Sequence, residues 1–229
     1  NIQEEMAGFY RSVYTDENGE EHWLASTQFE PTAARLAFPC FDEPDKKATF
    51  TITLNYNDTG NMIALSNMPV ENSETDGDVT KVTFEETPIM STYLVAFLVG
   101  DFASVEGDYN GKPVKVWAPV GQQEQGRIAL NVTVSALAFF EDFFDEPYTL
   151  PKLDLVAIPD FEAGAMENWG LITFRLTALL YDEGQDTAGN LQRVATVVTH
   201  ELAHQWTGDL VTMAWWSNLW LNEGFADFF

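Results

Sequence analysis

The stretch His200-Glu201-Leu202-Ala203-His204, followed eighteen residues later by Glu223, decides how the rest of this sequence is interpreted. On a helix, residues four positions apart project from almost the same side, so the two imidazoles can converge on one cation. Two imidazoles and one carboxylate are the ligands of a catalytic zinc site, because they leave a fourth tetrahedral position open for water. The spacing therefore predicts one Zn²⁺ per chain, bound by His200, His204 and Glu223, with water as the nucleophile.

The helix predicted around this motif carries a carboxylate on its apolar face. Glu201 projects into the arc that holds the apolar residues. These residues are Leu191, Val194, Val197, Val198 and Leu202. A buried, unpaired carboxylate costs several kcal/mol unless its pKa shifts, so Glu201 needs a function at this position. The motif supplies one, since its glutamate serves as the general base that takes a proton from the attacking water.

Glu223 is expected on a similar apolar face, beside Trp216, Leu219 and Trp220, where a metal would satisfy its buried charge. The alternative is that the motif occurs by chance and that the two histidines lie on a solvated helix face. The chain contains only three histidines, and two of them belong to the motif, which favours a metal site. The third, His22, lies in a polar stretch and is expected to be exposed.

The composition of the 229-residue chain is that of a folded protein. Hydrophobic residues make up 45% and aromatic residues 14%, which excludes disorder and allows one large or two ordinary domains. The 36 acidic residues outnumber the 11 Lys and Arg, so the formal net charge is −25. Nucleic acid and anionic membrane surfaces are therefore poor partners, because phosphate groups require a basic surface. Amine-bearing substrates would be attracted instead.

Cys40 is the only cysteine, so the sequence offers neither an internal disulfide nor a thiolate metal site, and its apolar neighbours predict a buried thiol. No run of about 18 apolar residues is present, and the first residues do not resemble a signal peptide. The chain has no initiator Met and stops inside a predicted helix. We therefore expect an internal piece of a longer protein.

Two patterns divide the chain near residue 117. Residues 1–117 carry strand signals, among them the alternations at 48–54 and 79–84 and the continuously apolar run at 91–99. Residues 118–229 combine helical spacing with strands. We expect an incomplete all-β N-terminal domain over 1–117, followed by the first part of an α/β domain over 118–229.

The second half supplies the elements around the motif. Apolar spacing predicts a helix over 122–144 and strands over 153–159 and 170–174. Asn190 is the expected N-cap of the metal-binding helix. Two stretches, beginning at Asn57 and Asn131, match the N-glycosylation acceptor pattern, although short patterns of this kind also arise by chance and Asn131 lies in a predicted helix.

The stretch Gly164-Ala165-Met166-Glu167-Asn168 lies between two predicted strands. Its small residues would let a substrate backbone approach and pair with a strand edge, whereas the alternative is a tight connection within a sheet. This stretch, followed by His-Glu-x-x-His and the glutamate eighteen residues on, resembles the zinc aminopeptidases of the aminopeptidase N type. Further similar blocks lie at residues 27–31, 38–44, 178–182 and 215–224, so the resemblance covers nearly the whole chain.

The resemblance implies a thermolysin-like zinc domain with ligands His200, His204 and Glu223 and with Glu201 as the general base. It implies further that Glu30 and the stretch Gly164-Ala165-Met166-Glu167-Asn168 bind the substrate. In this assignment Glu30 and Glu167 hold the α-ammonium, while Gly164 and Ala165 hold the peptide backbone. An ammonium fixed in this way leaves only the first peptide bond within reach of the metal, which defines an exopeptidase.

Two positions depart from the family pattern, since Leu176 replaces a glutamate and Thr207 replaces an aromatic residue. Two alternatives stay open: a zinc endopeptidase, which would be indifferent to a blocked N-terminus, and a catalytically inactive peptide-binding ectodomain whose zinc site is degraded by changes such as Thr207.

The expected partners are peptides with a free N-terminus. The resemblance and the acceptor sequons favour a membrane-anchored ectoenzyme on the extracellular side of the plasma membrane, with a cytoplasmic protein as the alternative and a homodimer as a further expectation. The isolated chain is expected to be poorly stable and weakly active or inactive.

Overall fold

Strands fill the first half of the chain, and helices join them in the second half. The computed structural model describes residues 2–16, 18–58 and 60–229, so Thr59, the third residue of the first acceptor sequon, lies outside the described residues. The strands are β1 (Gly8–Thr15), β2 (Glu21–Gln28), β3 (Thr53–Asn57), β4 (Met62–Ser66), β5 (Val70–Asp76), β6 (Val79–Phe84), β7 (Phe97–Tyr109), β8 (Lys112–Pro119), β9 (Leu153–Ile158), β10 (Ala165–Met166) and β11 (Leu171–Arg175). The α-helices are α1 (Arg127–Phe144), α2 (Leu176–Leu179), α3 (Ala188–His204) and α4 (Trp220–Phe228).

One large sheet runs through both halves of the chain. Its strand order is β1-β2-β7-β8-β9-β11-β10, with β4 also paired to β7, while β3, β6 and β5 form a separate small sheet. The long strand β7 joins the halves, because Phe97 to Asp101 pair with β4 and Phe102 to Tyr109 pair with β8. Strands β8, β9 and β11 are parallel, and β10 forms an antiparallel edge. The site described below lies at this β10 end of the sheet.

Helix α3 is held against the sheet through α1. The apolar face of α1 buries Leu137 and Phe140, which pack with the rest of the core. Trp206, just after α3, stacks on Phe144 and donates a hydrogen bond to the carbonyl oxygen of Glu146 at 2.9 Å. The segment that follows the histidine motif is therefore held against the end of α1 by aromatic packing and this hydrogen bond.

The predicted architecture, an all-β N-terminal part followed by an α/β part, is confirmed. The predicted boundary between residues 117 and 118 falls inside β8, which pairs with strands on both sides, and it stays a prediction. Cys40 is partly buried and packs against the core. No helix among the described residues is both long enough and apolar enough to span a bilayer. Asn57 lies on β3 and Asn131 on α1, and both side chains are exposed.

Three predicted elements begin or end at other residues in the structure than the sequence predicts. The strand predicted over 48–54 is shorter in the structure, where only Thr53 and Leu54 belong to β3 and pair with β6. Residues 48–52 make only scattered backbone hydrogen bonds to residues 84–90 and therefore do not form a regular strand. Residues 91–96 are buried as expected but form a 3-10 turn, and the strand starts at Phe97. The side chain of Asn67 replaces the missing ladder there, since it bonds the backbone of Leu94 and Ala96. The helix predicted from 122 begins at Arg127, after a 3-10 turn.

The candidate active site

Helix α3 places both histidines of the motif at its C-terminal end. Thr187, not the predicted Asn190, is the N-cap residue, and Asn190 completes a capping box by bonding back to Thr187. The buried face of α3 contains Val194, Val198 and Leu202. Because this apolar stripe faces the core, the helix rotation that buries it also turns His200 and His204 toward α4.

Three side-chain atoms form a small triangle at this point. The Nε2 atoms of His200 and His204 lie 3.0 Å apart, and they lie 3.3 Å and 3.7 Å from Oε2 of Glu223 on α4. Ligands about 2.0–2.1 Å from a tetrahedral zinc lie roughly 3.3–3.4 Å from one another. The three observed separations bracket this value, so the three residues fit a zinc ion after small side-chain adjustments.

Each of the two imidazole rings has an acceptor oxygen at its other nitrogen, Nδ1. Nδ1 of His204 lies 3.0 Å from the carbonyl oxygen of Thr207, and Nδ1 of His200 lies 2.9 Å from a carboxylate oxygen of Asp227. A carbonyl or carboxylate oxygen can only accept, so each Nδ1 carries a proton, and the neutral form of each ring would have its lone pair on Nε2, where a metal ion would bind. The Thr207 departure leaves this arrangement intact, because its main-chain oxygen is the acceptor.

Gly208 lets the chain turn tightly against the second histidine. Its φ is +150°, and a Cβ placed there would lie 3.2 Å from Nδ1 of His204 and 3.5 Å from the amide nitrogen of Asn222. Asn222 is buried and donates a hydrogen bond to the hydroxyl of Tyr93 at 3.1 Å. The residue before the third ligand is thus tied to the N-terminal half of the chain.

Glu201 is buried beside this triangle, as its position on the apolar arc predicts. Its Oε2 has no hydrogen-bond partner among the described residues. Burial raises the pKa of the Glu201 carboxyl well above its ordinary value, against the opposing positive charge of His204. Glu167, Glu201 and His204 lie together, with one polar atom of each within 4.8 Å of the others. A buried carboxyl with an unused oxygen is suited to exchanging a proton with a bound molecule.

A second group of carboxylates adjoins the first. Glu30 follows β2 and Glu167 follows β10, yet one oxygen of each lies within 4.8 Å of the other and of Glu223. Burial, followed by the charges of Glu167 and Glu223, raises the pKa of Glu30 to about 8. Oε1 of Glu167 is buried and has no hydrogen-bond partner among the described residues. Carboxylates crowded in this way are strongly stabilised by a cation placed between them.

The charges of this cluster also act on the candidate metal ligands. Burial lowers the pKa of His204, but the carboxylates of Glu167 and Glu223 outweigh burial and raise that pKa to about 11. Hydrogen bonds from His200 and His204 lower the pKa of Glu223. A metal ligand must be deprotonated, so binding of a metal ion at these residues would be coupled to proton release.

The remaining predicted substrate-binding residues line or support the sheet edge. A Cβ on Gly164 would meet nothing within 4 Å, and Ala165 is only partly buried on the edge strand β10. Met166 and Asn168 are buried, and the amide of Asn168 donates to Thr173 at 3.0 Å. The structure thus brings all the predicted residues to one region, with Met166 and Asn168 beneath its surface. Their roles stay predictions.

Two expectations about exposure were wrong. The side chain of Glu223 is 44% exposed rather than buried, because α4 is a separate short helix after a loop. His22 is only partly exposed, since its ring lies between Asp16 and Asp101 and stacks on Tyr14.

Sequence reasoning missed three polar residues that support the site: Gln205, Asp209 and Asp227. Asp227 lies four residues after Glu223 on α4, so helical spacing could have found it. Gln205 and Asp209 are isolated polar residues in a loop, where no spacing distinguishes them.

The structure combines a mixed sheet, a helix with the His-Glu-x-x-His motif and a candidate third ligand on the following helix. This arrangement is typical of a metallopeptidase domain. Residues 1–94 match the family description "Peptidase M1 N-terminal domain", and residues 128–229 match "Peptidase family M1 domain". The chain belongs to peptidase family M1, which confirms the resemblance drawn from its motifs.

Several curated relatives are similar over almost the whole chain. "Aminopeptidase M1" of Arabidopsis thaliana is 56% identical over 226 residues, which are 98% of this chain and 25% of that protein. "Glutamyl aminopeptidase" of Homo sapiens is 54% identical over 227 residues, which are 98% of this chain and 23% of that protein. The chain therefore spans about a quarter of the length of the relatives it matches.

Proposed function

We propose that this chain is part of a zinc-dependent aminopeptidase that hydrolyses the N-terminal peptide bond of peptides. The observation that carries the proposal is the convergence of two groups at one place. The triangle of His200, His204 and Glu223 would hold the metal, and the carboxylates of Glu30 and Glu167 lie directly beside it. The aminopeptidase names of the relatives support the same reaction class.

Zinc, when bound, would supply Lewis-acid polarisation of the scissile carbonyl and of the attacking water. The chain's own general base is Glu201. Burial raises the pKa of its carboxyl, and a more basic carboxylate is a better acceptor for a proton from water, which it can later return to the leaving amine. Because Glu201 is buried, solvent does not compete for its free oxygen.

Glu30 and Glu167 determine which bond is cut. An α-ammonium between their carboxylates would form charge-assisted hydrogen bonds and relieve the repulsion that raises the pKa of Glu30. The edge strand β10 can pair with the substrate backbone in an extended conformation. With the amine fixed, only the first peptide bond reaches Glu201 and the metal-binding triangle.

The test compares a peptide that has a free N-terminus with its N-acetylated form in the complete protein. Acetylation removes the charge that the two carboxylates bind, at a cost of about 1.5–3 kcal/mol or roughly 10- to 150-fold in kcat/KM. Equal cleavage of both peptides would support the endopeptidase alternative. Binding without turnover, in protein shown to contain zinc, would support the inactive peptide-binding alternative.

Peptides with a free N-terminus are the partners that this proposal requires. The extracellular location and the membrane anchor follow from the resemblance and the acceptor sequons, and they remain predictions, as does the homodimer. Glycosylation at Asn57 and Asn131 follows from the acceptor pattern and remains a prediction as well.

A further inference from the structure

A buried amide lies directly behind the site. Gln205, the residue after His204, is 2% exposed and uses both of its N–H groups and its oxygen. Its Nε2 donates to the carbonyl oxygen of Glu167 at 3.1 Å and to Oδ2 of Asp209 at 2.8 Å. Its Oε1 accepts from the backbone N–H of Gly170 at 3.1 Å. One side chain of the metal-binding segment thus bonds both ends of the turn that carries Glu167.

This turn, residues 167–170, is rigid on the sheet side. Its backbone closes through a hydrogen bond from Leu171 to Asn168 at 2.9 Å. Gly170 has a φ of +79°, and a Cβ there would lie 2.6 Å from the carbonyl oxygen of Asn67. The buried ammonium of Lys152 donates to the carbonyl oxygen of Gly170 at 2.7 Å. The turn can therefore be treated as one body seated on the sheet.

Few hydrogen bonds connect this turn to the segment that carries the candidate metal ligands. Among the described residues, Gln205 is the only one in 188–229 that hydrogen-bonds to any residue of 164–170. Asp209, which is fully buried, holds the amide from the other side. A carboxylate oxygen accepts only, so it directs Nε2 toward Asp209 and Glu167 and leaves Oε1 for Gly170. The orientation of the amide is thereby fixed.

We propose that Gln205 is a positioning residue that sets the distance between the Glu167 carboxylate and the metal-binding His204. This inference rests on the proposed aminopeptidase function, in which the ammonium site and the metal site must stand a fixed distance apart. A misplacement of about 1 Å can lower the rate roughly 100-fold. Gln205 therefore sets the register that makes the first peptide bond the one that is cut.

The test is a double-mutant cycle on the complete, zinc-loaded protein with an aminoacyl p-nitroanilide that has a free amine. Gln205→Met keeps the length of the side chain but removes its three hydrogen bonds. We expect Gln205→Met to lower kcat/KM by about 10- to 100-fold, with zinc content unchanged. In a Glu167→Gln background the same change should cost less than about threefold, because the residue being positioned has already lost its charge.

Gln192→Met, an exposed position on the same helix, is the matched control and should leave kcat/KM unchanged in both backgrounds. If Gln205→Met does not fold, Gln205→Glu replaces it, since this change preserves size but sets an oxygen against the oxygens of Glu167 and Asp209. Equal losses in the two backgrounds, or loss of zinc, would overturn the inference and leave the proposed function standing. An unaltered protein that releases no N-terminal residue would overturn both.

Discussion

The chemistry proposed for the site depends on individual carboxyl groups whose surroundings differ. Glu201 and Glu223 lie close together, but burial raises the pKa of the first and hydrogen bonds from two histidines lower the pKa of the second. A carboxylate with a low pKa is a suitable metal ligand, and one with a raised pKa is a suitable proton acceptor. The two glutamates are thus separated in function by their environments.

The first residue-scale prediction concerns Glu201→Gln. The amide has the same size but cannot accept a proton, so we expect the protein to retain its zinc while kcat falls by about 10²- to 10⁴-fold. Metal analysis and steady-state kinetics give the two readouts. Glu183→Gln, at an exposed carboxylate before α3, is the control and should change neither. Full activity in Glu201→Gln would rule out its role as the general base.

The second residue-scale prediction concerns Asp227, whose carboxylate lies 2.9 Å from Nδ1 of His200. Asp227→Ala removes the group that orients the ring, and changes of this kind typically cost about 10- to 100-fold in metal affinity. Asp227→Asn keeps an acceptor and should lose less. Competition with a chelator measures the affinity, and Asp142→Ala on the exposed face of α1 is the control. An unchanged affinity would show that His200 is oriented by its packing alone.

The candidate metal ligands were identified from the sequence, but the residues that support them were not. Helical geometry pairs His200 with His204 on one segment, and the motif's eighteen-residue spacing adds Glu223 from the next helix. Glu30 and Glu167 lie far apart in sequence, and only the family resemblance brought them together. The proposed role of Gln205 depends on its hydrogen bonds to two backbone groups of another segment. A sequence does not show which backbone groups a side chain will bond.

At the scale of elements, periodic segments were predicted well and their ends less well. Strands β6, β9 and β11 and helix α1 follow from apolar periodicity. The start of α3 was placed three residues late, because Thr187 and Asn190 both have capping side chains and form one reciprocal box. The 3-10 turn within residues 91–96 could not be foreseen, since its backbone is satisfied by a distant side chain, that of Asn67.

One hydrogen bond between elements leads to a pH prediction. The hydroxyl of Tyr109, at the end of β7, donates to Glu141 on α1 at 2.7 Å, and Glu141 also accepts from the backbone of Tyr148. Burial, followed by this bond and the charge of Glu141, raises the pKa of Tyr109 from 10.0 to about 12. The folded state therefore retains the phenol proton more strongly than the unfolded state does. The resulting stabilisation is complete below pH 10 and is lost as the pH rises from 10 to 12.

Tyr109→Phe should accordingly be less stable than the unaltered chain at pH 8, and the difference should shrink as the pH approaches 12. Urea unfolding at a series of pH values measures it. Tyr181→Phe is the control, because its hydroxyl makes no hydrogen bond among the described residues. A difference that stays constant between pH 8 and pH 11.5 would contradict the assignment.

At the scale of the whole molecule, the proposed substrate site draws residues from both matched family regions. Glu30 comes from the region 1–94 and Glu167 from the region 128–229, and the continuous sheet through β7 holds them together. The net charge of −25 adds a long-range field that favours cationic termini over anionic ones. Both the local carboxylate cluster and the charge of the whole chain therefore support the proposed preference for amine-bearing substrates.

The last prediction concerns the surface of α4. Trp220 is 63% exposed and Phe228 is 80% exposed, and together with Gly224 and Phe225 they form one apolar patch, here called the α4 patch. Monomeric proteins rarely expose contiguous apolar surface beyond a few hundred Å², because such patches associate in water. A polypeptide of these 229 residues should therefore self-associate at micromolar concentration.

Sedimentation velocity over a concentration series measures this association. Replacing both Trp220 and Phe228 by Ser should shift the polypeptide to a monomer, since the largest exposed rings of the α4 patch are then gone. Phe41→Ser removes a side chain that is 82% exposed outside α4, and it should leave the association unchanged. Association that persists in the double variant would place the contact elsewhere on the molecule. A monomeric unaltered polypeptide would show that the α4 patch is tolerated in water, and the self-association inferred from its exposure would then be wrong.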